Sequence, residues 1–275
     1  MLGCFGLIPT ASANCLGDRG ATQVFTVAVV PQLSPRIIYE KWSPFLENIG
    51  KSTGLCFQLL TPDTIPEFER LLILGVPDFA FANPYHAVVA KKKRGYIPLI
   101  IDGRNKLTGL LAVRSDSPIR SIHDLNGKKV AFPAPNAFAA SLLIRAELAK
   151  KGVDIEPIYL KTHASAYRAV AMGTFIAAGG VNTTLKREDP ALQATLRVLY
   201  ETGGYAPHPF IANTRVPVDI RSAVANSMIS LSSTKAGEKL LADIQIPEPI
   251  KADYERDLYP LEQLDLSKFV VQPND

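Results

Sequence analysis

The sequence predicts an α/β protein built from two strand–helix units. Three observations carry this reading. Apolar, β-branched runs such as residues 24–30 (VFTVAVV) stop abruptly at Pro or Gly, as strands buried on both faces do. Stretches with helical spacing of apolar residues lie between those runs. The strand–helix rhythm also begins afresh after residue 113, and strand-like sequence returns at 210–213.

The elements follow in order. After the strand at 24–30, Ser34-Pro35 opens a helix whose Ile38, Trp42, Phe45, Leu46 and Ile49 share one face until Gly50 and Gly54 end it. A strand at 57–60, a helix opened by Thr64 and Pro66, and a strand at 78–83 come next. A helix starting at Pro84 ends in the basic run 91–94, a solvated helix terminus well placed on the dipole, and a strand follows at 97–101. Right-handed crossovers place these strands parallel in one sheet with helices on both faces. A strand at 107–113 leads to the second unit, with a strand at 128–132, a loop at 133–136 and a long helix through Ala149. Strands at 158–160 and 175–178, the latter ending at Gly179-Gly180, enclose a short helix at 166–172. A strand at 196–200, a Gly/Pro-rich crossover at 202–209 and the strand 210–213 precede helices at 218–231, 235–242 and 252–264.

Composition narrows the function classes. With 275 residues, 47% hydrophobic and 20% charged, the chain is globular, and 30 Lys+Arg against 26 Asp+Glu give a net charge of +4. That balance calls for no nucleic acid. No apolar run approaches the roughly 18 residues of a membrane span. Residues 1–13 are apolar and then small, with Ala11 and Ala13 where a signal peptidase reads, so residues 1–21 are expected to be a residual leader of an exported, periplasmic protein. No Lys or Arg occurs before Arg19, so the basic start of such a leader is missing. Cleavage after Ala13 would leave Cys15 and Cys56, either as a disulfide or as two thiols. No G-x-S-x-G, H-E-x-x-H or phosphate-loop motif occurs, which argues against an enzyme; no metal or other cofactor is expected.

Several segments together resemble one family. They are residues 29–32 (VVPQ), 39–47 (YEKWSPFLE), 50–55 (GKSTGL), 78–85 (DFAFANPY), 112–119 (AVRSDSPI) and 124–132 (DLNGKKVAF), with Thr162-His163 and 180–185 (GVNTTL) at matching spacing. The chain resembles the periplasmic phosphate/phosphite/phosphonate-binding proteins of ABC transporters over about residues 24–265. The resemblance implies a two-lobed type II periplasmic-binding-protein fold, each lobe a mixed, mostly parallel sheet flanked by helices, joined by a hinge of two crossovers. Lobe 1 is expected at 22–112 plus 205–275 and lobe 2 at 113–204. A monomer handing a small polar or anionic solute to a membrane permease is the implied function. A sensor or scaffold on the same fold is the alternative.

Ligands of open α/β sheets sit at the carboxyl ends of strands, where loops and helix starts supply donors. That rule selects Gln32, Ser34, Thr64, Asn83 and Tyr85 from the first unit. From the second it selects Asn136, Phe138, Ser141, Thr162, His163, Ser165, Asn182 and Thr183. His208 joins them from the returning crossover. Plainer roles compete: Asn136 as a helix N-cap, Tyr85 as packing, His163 as a cap, Asn182-Thr183 as a turn, His86 and His123 as core or surface. One departure stands out. The resembled family carries a Ser/Thr run in the loop that starts the long helix, and residues 137–140 here are Ala-Phe-Ala-Ala. Hydrogen bonds to a charged group contribute about 1.5–3 kcal/mol each, so three missing hydroxyls make phosphonate binding weak or absent. Thr183 and His208 stand where relatives place the acidic residues that hold an amino group.

Overall fold

The computed structural model describes residues 15–271. Most of the expected leader lies outside them. Residues 15–21 do not behave as a leader: β1 (Leu16–Gly17) pairs antiparallel with β3 (Cys56–Leu60), and Cys15 is disulfide-bonded to Cys56.

The first sheet is built from β2 (Val24–Val29), β3, β4 (Phe79–Phe81) and β5 (Ile97–Asp102), with α1 (Pro35–Thr53), α2 (Ile65–Leu74) and α3 (Pro84–Arg94) between them. The returning chain adds β11 (Phe210–Ala212) and β12 (Pro249–Lys251), giving seven strands in the order β1-β3-β2-β4-β11-β5-β12. The parallel pairing expected of βαβ units holds for β3-β2-β4. It does not extend to β5, because β11 lies between β4 and β5 and runs antiparallel to both. Three-residue strands such as β11 and β12 carry too little pattern to announce such an insertion, and β12 was not expected at all.

The second sheet takes β6 (Gly109–Arg114), β7 (Lys128–Phe132), β8 (Ile155–Tyr159), β9 (Ala177–Val181) and β10 (Leu196–Glu201) in the order β10-β6-β9-β7-β8. Its parallel part is β9-β7-β8, and β6 runs antiparallel to both of its neighbours, β9 and β10. β6 belongs whole to this sheet, so the boundary expected at residue 112 moves back to the 103–108 segment. The return crossover spans 202–209, and the two crossovers touch through a bridge between Leu107 and Tyr205.

Aromatic packing makes the first sheet rigid where the loops of the site leave it. Phe79 stacks on Phe210 at 5.7 Å between ring centroids, and Trp42 from α1 packs on Phe81 and Phe210. The long helix of the second unit begins as a π-helical turn (Phe138–Leu143) that runs into α4 (Ile144–Lys150). That turn lies directly on the sheet because the sheet has no side chain beneath it. A Cβ at Gly109 would stand 2.1 Å from the Ala139 carbonyl oxygen, and one at Gly179 would stand 2.3 Å from that of Ala140. Gly179 and Gly180 are therefore inside β9, where they were expected to end it. The remaining helices are α5 (His163–Ala171), α6 (Asn182–Leu185), α7 (Pro190–Ala194), α8 (Val218–Leu231), α9 (Lys235–Asp243) and α10 (Tyr259–Glu262). A π-helical turn at Tyr254–Leu258 precedes α10, so the helix expected over 252–264 is two short pieces.

Candidate functional site

The loops after β2, β4, β7 and β8 meet between the sheets, as the strand-end rule requires. Gln32, Asn83, Phe138, His163 and His208 line one cleft with residues 137–140. The lobes stand closed on it, leaving about 20 Å³, room for one water. Phe138 occupies much of the rest: its ring is 2% exposed and meets Tyr205 edge-on at 5.6 Å.

The polar groups of the cleft are uncharged and ordered by their neighbours. Gln245 Nε2 donates to Gln32 Oε1 at 3.1 Å, which fixes the Gln32 amide so that its nitrogen faces His208 Nε2, also at 3.1 Å. The His208 ring therefore accepts at Nε2 and is neutral. Burial is the main cause that pushes its pKa down to about 3, aided by the nearby His86, His163 and Arg187 charges. His163 is at the first position of α5, capped not by itself but by Thr162. Its Nδ1 lies 3.3 Å from Thr184 Oγ1, whose proton goes to the Val181 carbonyl at 3.0 Å. The ring thus donates from Nδ1 and leaves Nε2 as an acceptor without a partner among the described residues. Burial pushes this pKa down to about 4. The N–H groups of residues 138–140, first in their helix, have no carbonyl behind them to bond and add donors at the helix start.

The other expected site residues do different work. Ser34 is exposed and makes no cap hydrogen bond. Thr64 accepts from the Glu67 N–H and Thr162 from the Ser165 N–H, so these two hydroxyl residues cap helices, and the Thr162 hydroxyl donates to that of Ser165 inside α5. Ser141 is fully buried and accepts from Arg145 Nε. Asn182 ties the first crossover by donating to the Lys106 carbonyl at 3.0 Å. Asn136 is not an N-cap: it donates to Glu69 Oε2 at 3.1 Å, across the seam between the lobes. With Tyr85 it lines a separate 220 Å³ cavity over the buried Glu69–His86 pair, where His86 Nε2 stands 2.9 Å from Glu69 Oε1. His86 is thus core, and His123 is surface. The basic end of α3 is partly engaged, with Lys92 paired to Glu262 and Lys91 over the Tyr254 ring.

A third cavity, of 130 Å³, lies on the far side of His208. Thr183 lines it with Lys106, Arg187 and Gln245, none of the last three flagged by strand-end reasoning.

Residues 27–258 match the family described as "ABC transporter, phosphonate, periplasmic substrate-binding protein". The chain belongs to that family. As a phosphonate-family binding protein it is a solute-binding component of an ABC-type transporter, and the family is extracytoplasmic. No curated protein matches the chain. Among solved structures it is similar to a binding-protein component of an ABC phosphonate transporter from Pseudomonas aeruginosa, at 19% identity and TM-score 0.79, covering 88% of this chain and 85% of that one. The PhnD1 protein of Prochlorococcus marinus, in complex with methylphosphonate, is similar at 14% identity and TM-score 0.78, over 88% and 96%. The aliphatic sulphonate-binding protein SsuA of Escherichia coli is similar at 16% identity and TM-score 0.61, over 90% and 92%. These likenesses show the type II periplasmic-binding-protein fold. Among the described residues no helix of this family member is long and apolar enough to cross a membrane.

Proposed function

We propose that the protein is an exported monomer that closes on a small polar or anionic solute and presents it to a membrane permease, with weak affinity for simple phosphonates. One observation carries the reading. The helix start that faces the cleft has free N–H groups but, at residues 137–140, only Ala, Phe, Ala and Ala beside them, so the hydroxyl half of an anion cradle is missing. The cleft offers no charged side chain, only the amides of Gln32 and Asn83 and two neutral rings. His163 Nε2, a free acceptor, suits a solute bearing an O–H or N–H group. The Cys15–Cys56 disulfide supports export, since such bonds persist in oxidising compartments. The segment before it supports a leader by its sequence pattern.

A thermal-shift panel tests this, with phosphate, phosphite, methylphosphonate, aminoethylphosphonate, methanesulfonate and small carboxylates. A ligand at 100 times its Kd stabilises by about 2.7 kcal/mol. The expected result is a saturable shift with at least one small anion and a methylphosphonate Kd at least tenfold weaker than that of the best ligand. Methylphosphonate as the tightest ligand would overturn the weak-phosphonate reading, and no shift with any solute would overturn solute capture.

A further inference from the structure

Resting on the solute-capture reading above, we infer that the solute's anionic group is held not at the helix start of residues 137–140 but in the basic cavity behind His208, by Arg187, Lys106 and Thr183. The cavity has the size of a small oxyanion group with a short tail, 130 Å³ against about 20 Å³ in the cleft. It is built by both lobes and the hinge: Thr183 and Arg187 come from α6 and the segment after it, Lys106 from the first crossover, His208 from the second, and Gln245 from the segment after α9. A group bound there bridges all of these, which a closing two-lobed receptor requires.

The charge in the cavity is unspent. Neither Arg187 nor Lys106 makes an ion pair or a side-chain hydrogen bond among the described residues, although Arg187 is set among protein atoms that lower its pKa by desolvation. Asp243, the carboxylate whose charge acts on Arg187, is paired with Lys41 at 2.9 Å. Asp102 also lines the cavity, but its two oxygens already accept from the N–H groups of Arg104, Asn105 and Glu248 and from Asn105 Nδ2. Two cations therefore face one carboxylate whose lone pairs are occupied. A guanidinium fork that finds no protein carboxylate matches a ligand carboxylate, sulfonate or phosphonate edge-on.

The wall of the cavity is itself organised. Gln245 sits at φ +70°, a left-handed conformation that is strained for a non-glycine residue, and its side chain reaches Gln32, which in turn reaches His208. The relay connects the basic cavity, which Gln245 and His208 line, to the cleft, which Gln32 and His208 line. The ligand class is a small oxyanion carrying one hydroxyl or amino group, the size of the single water the cleft admits, that reaches past His208. A tail of that kind uses the His163 acceptor.

The test is isothermal titration of methanesulfonate, acetate and methylphosphonate, separately, into the wild type and the variants Arg187→Gln, Arg187→Lys and Lys106→Gln. Both replaced side chains are exposed, and circular dichroism checks each fold. The expected result is that R187Q weakens the best-bound anion at least tenfold, R187K weakens it less, K106Q weakens it several-fold, and the His208 ring signals shift on titration in NMR spectra. Binding in R187Q within twofold of wild type, with His208 unmoved, would overturn this site and leave solute capture standing. Failure of the wild type to bind any of the three anions would overturn the site, while a thermal shift with a neutral solute would still uphold capture.

Discussion

Asn136 and Val271 hold each other by two hydrogen bonds, from Asn136 Nδ2 to the Val271 carbonyl at 2.7 Å and from the Val271 N–H to Asn136 Oδ1 at 3.0 Å. Asn136 belongs to the second lobe, and Val271 ends the described part of a segment that follows α10. Arg145 reinforces the link by donating to the Phe269 carbonyl at 2.6 Å and to the Pro135 carbonyl at 2.7 Å. The tail is therefore a strap across the closed lobes. Asn136→Ala removes both bonds and the one to buried Glu69, and is expected to cost about 2–3 kcal/mol in urea unfolding. It should also raise the radius of gyration in small-angle scattering as the open form gains population. An unchanged midpoint and radius would contradict the strap.

Phe138 is the plug of the cleft. Phe138→Ala should destabilise by about 3–5 kcal/mol, the usual cost of deleting a buried aromatic ring. The vacated space should admit solutes too large for wild type, read as a thermal shift toward larger sulfonates or carboxylates that the parent does not show. Loss of stability without any new ligand would mean the ring serves the core alone.

The two cleft histidines make the fold sensitive to acid. Their folded pKa values, about 4 for His163 and about 3 for His208, lie below the ordinary 6.5. As pH falls below 6.5 the unfolded chain takes up protons that the native rings refuse. Their stability contribution is thus complete above about pH 6.5 and declines by about 1.4 kcal/mol per pH unit for each ring, until the native rings titrate near pH 4 and 3. Urea midpoints at pH 7 and pH 5 should differ less in His208→Asn than in wild type, by one ring's share. Parallel slopes in the two proteins would refute the assignment.

The Cys15–Cys56 bond closes a loop 41 residues apart in sequence. Chain-entropy reasoning gives about 4 kcal/mol for a loop of this length. Cys15→Ser should lower stability by that order and release β1 from β3, seen as faster amide exchange at Leu16 and Phe57, which are paired in register. A reductant should do the same to wild type and nothing further to the variant.

Much of this was legible in the residues. The runs at 24–30 and 128–132 carry enough apolar length to mark β2 and β7, and Thr64, Pro84 and Gly54 mark helix ends by backbone chemistry that the structure repeats. Strand order was less legible, because β11 reaches its place through contacts far apart in sequence. The site divides the same way. Gln32, Asn83, Phe138 and His163 follow from where strands end, and His208 from the family resemblance of the returning crossover. Thr64, Thr162 and Ser165 do not reach the cleft because a hydroxyl at a helix start serves the helix or a solute equally well in sequence, and only packing decides between them. Lys106, Arg187 and Gln245 stand in turns, with no periodicity to single them out from other surface residues.

The position of β11 bears on how the molecule comes to exist. Phe210–Ala212 fills the gap between β4 and β5, yet about a hundred residues of another lobe separate it from β5 along the chain. During synthesis, the earlier strands emerge with their middle seat empty and two exposed edges facing each other. The first lobe can be completed only after the second has been made, so the second lobe has the opportunity to fold first as an insert. Mutations that slow the second lobe should then lengthen the time for which the edges of β4 and β5 are open to wrong partners, and lower the soluble yield without touching any residue of the first lobe.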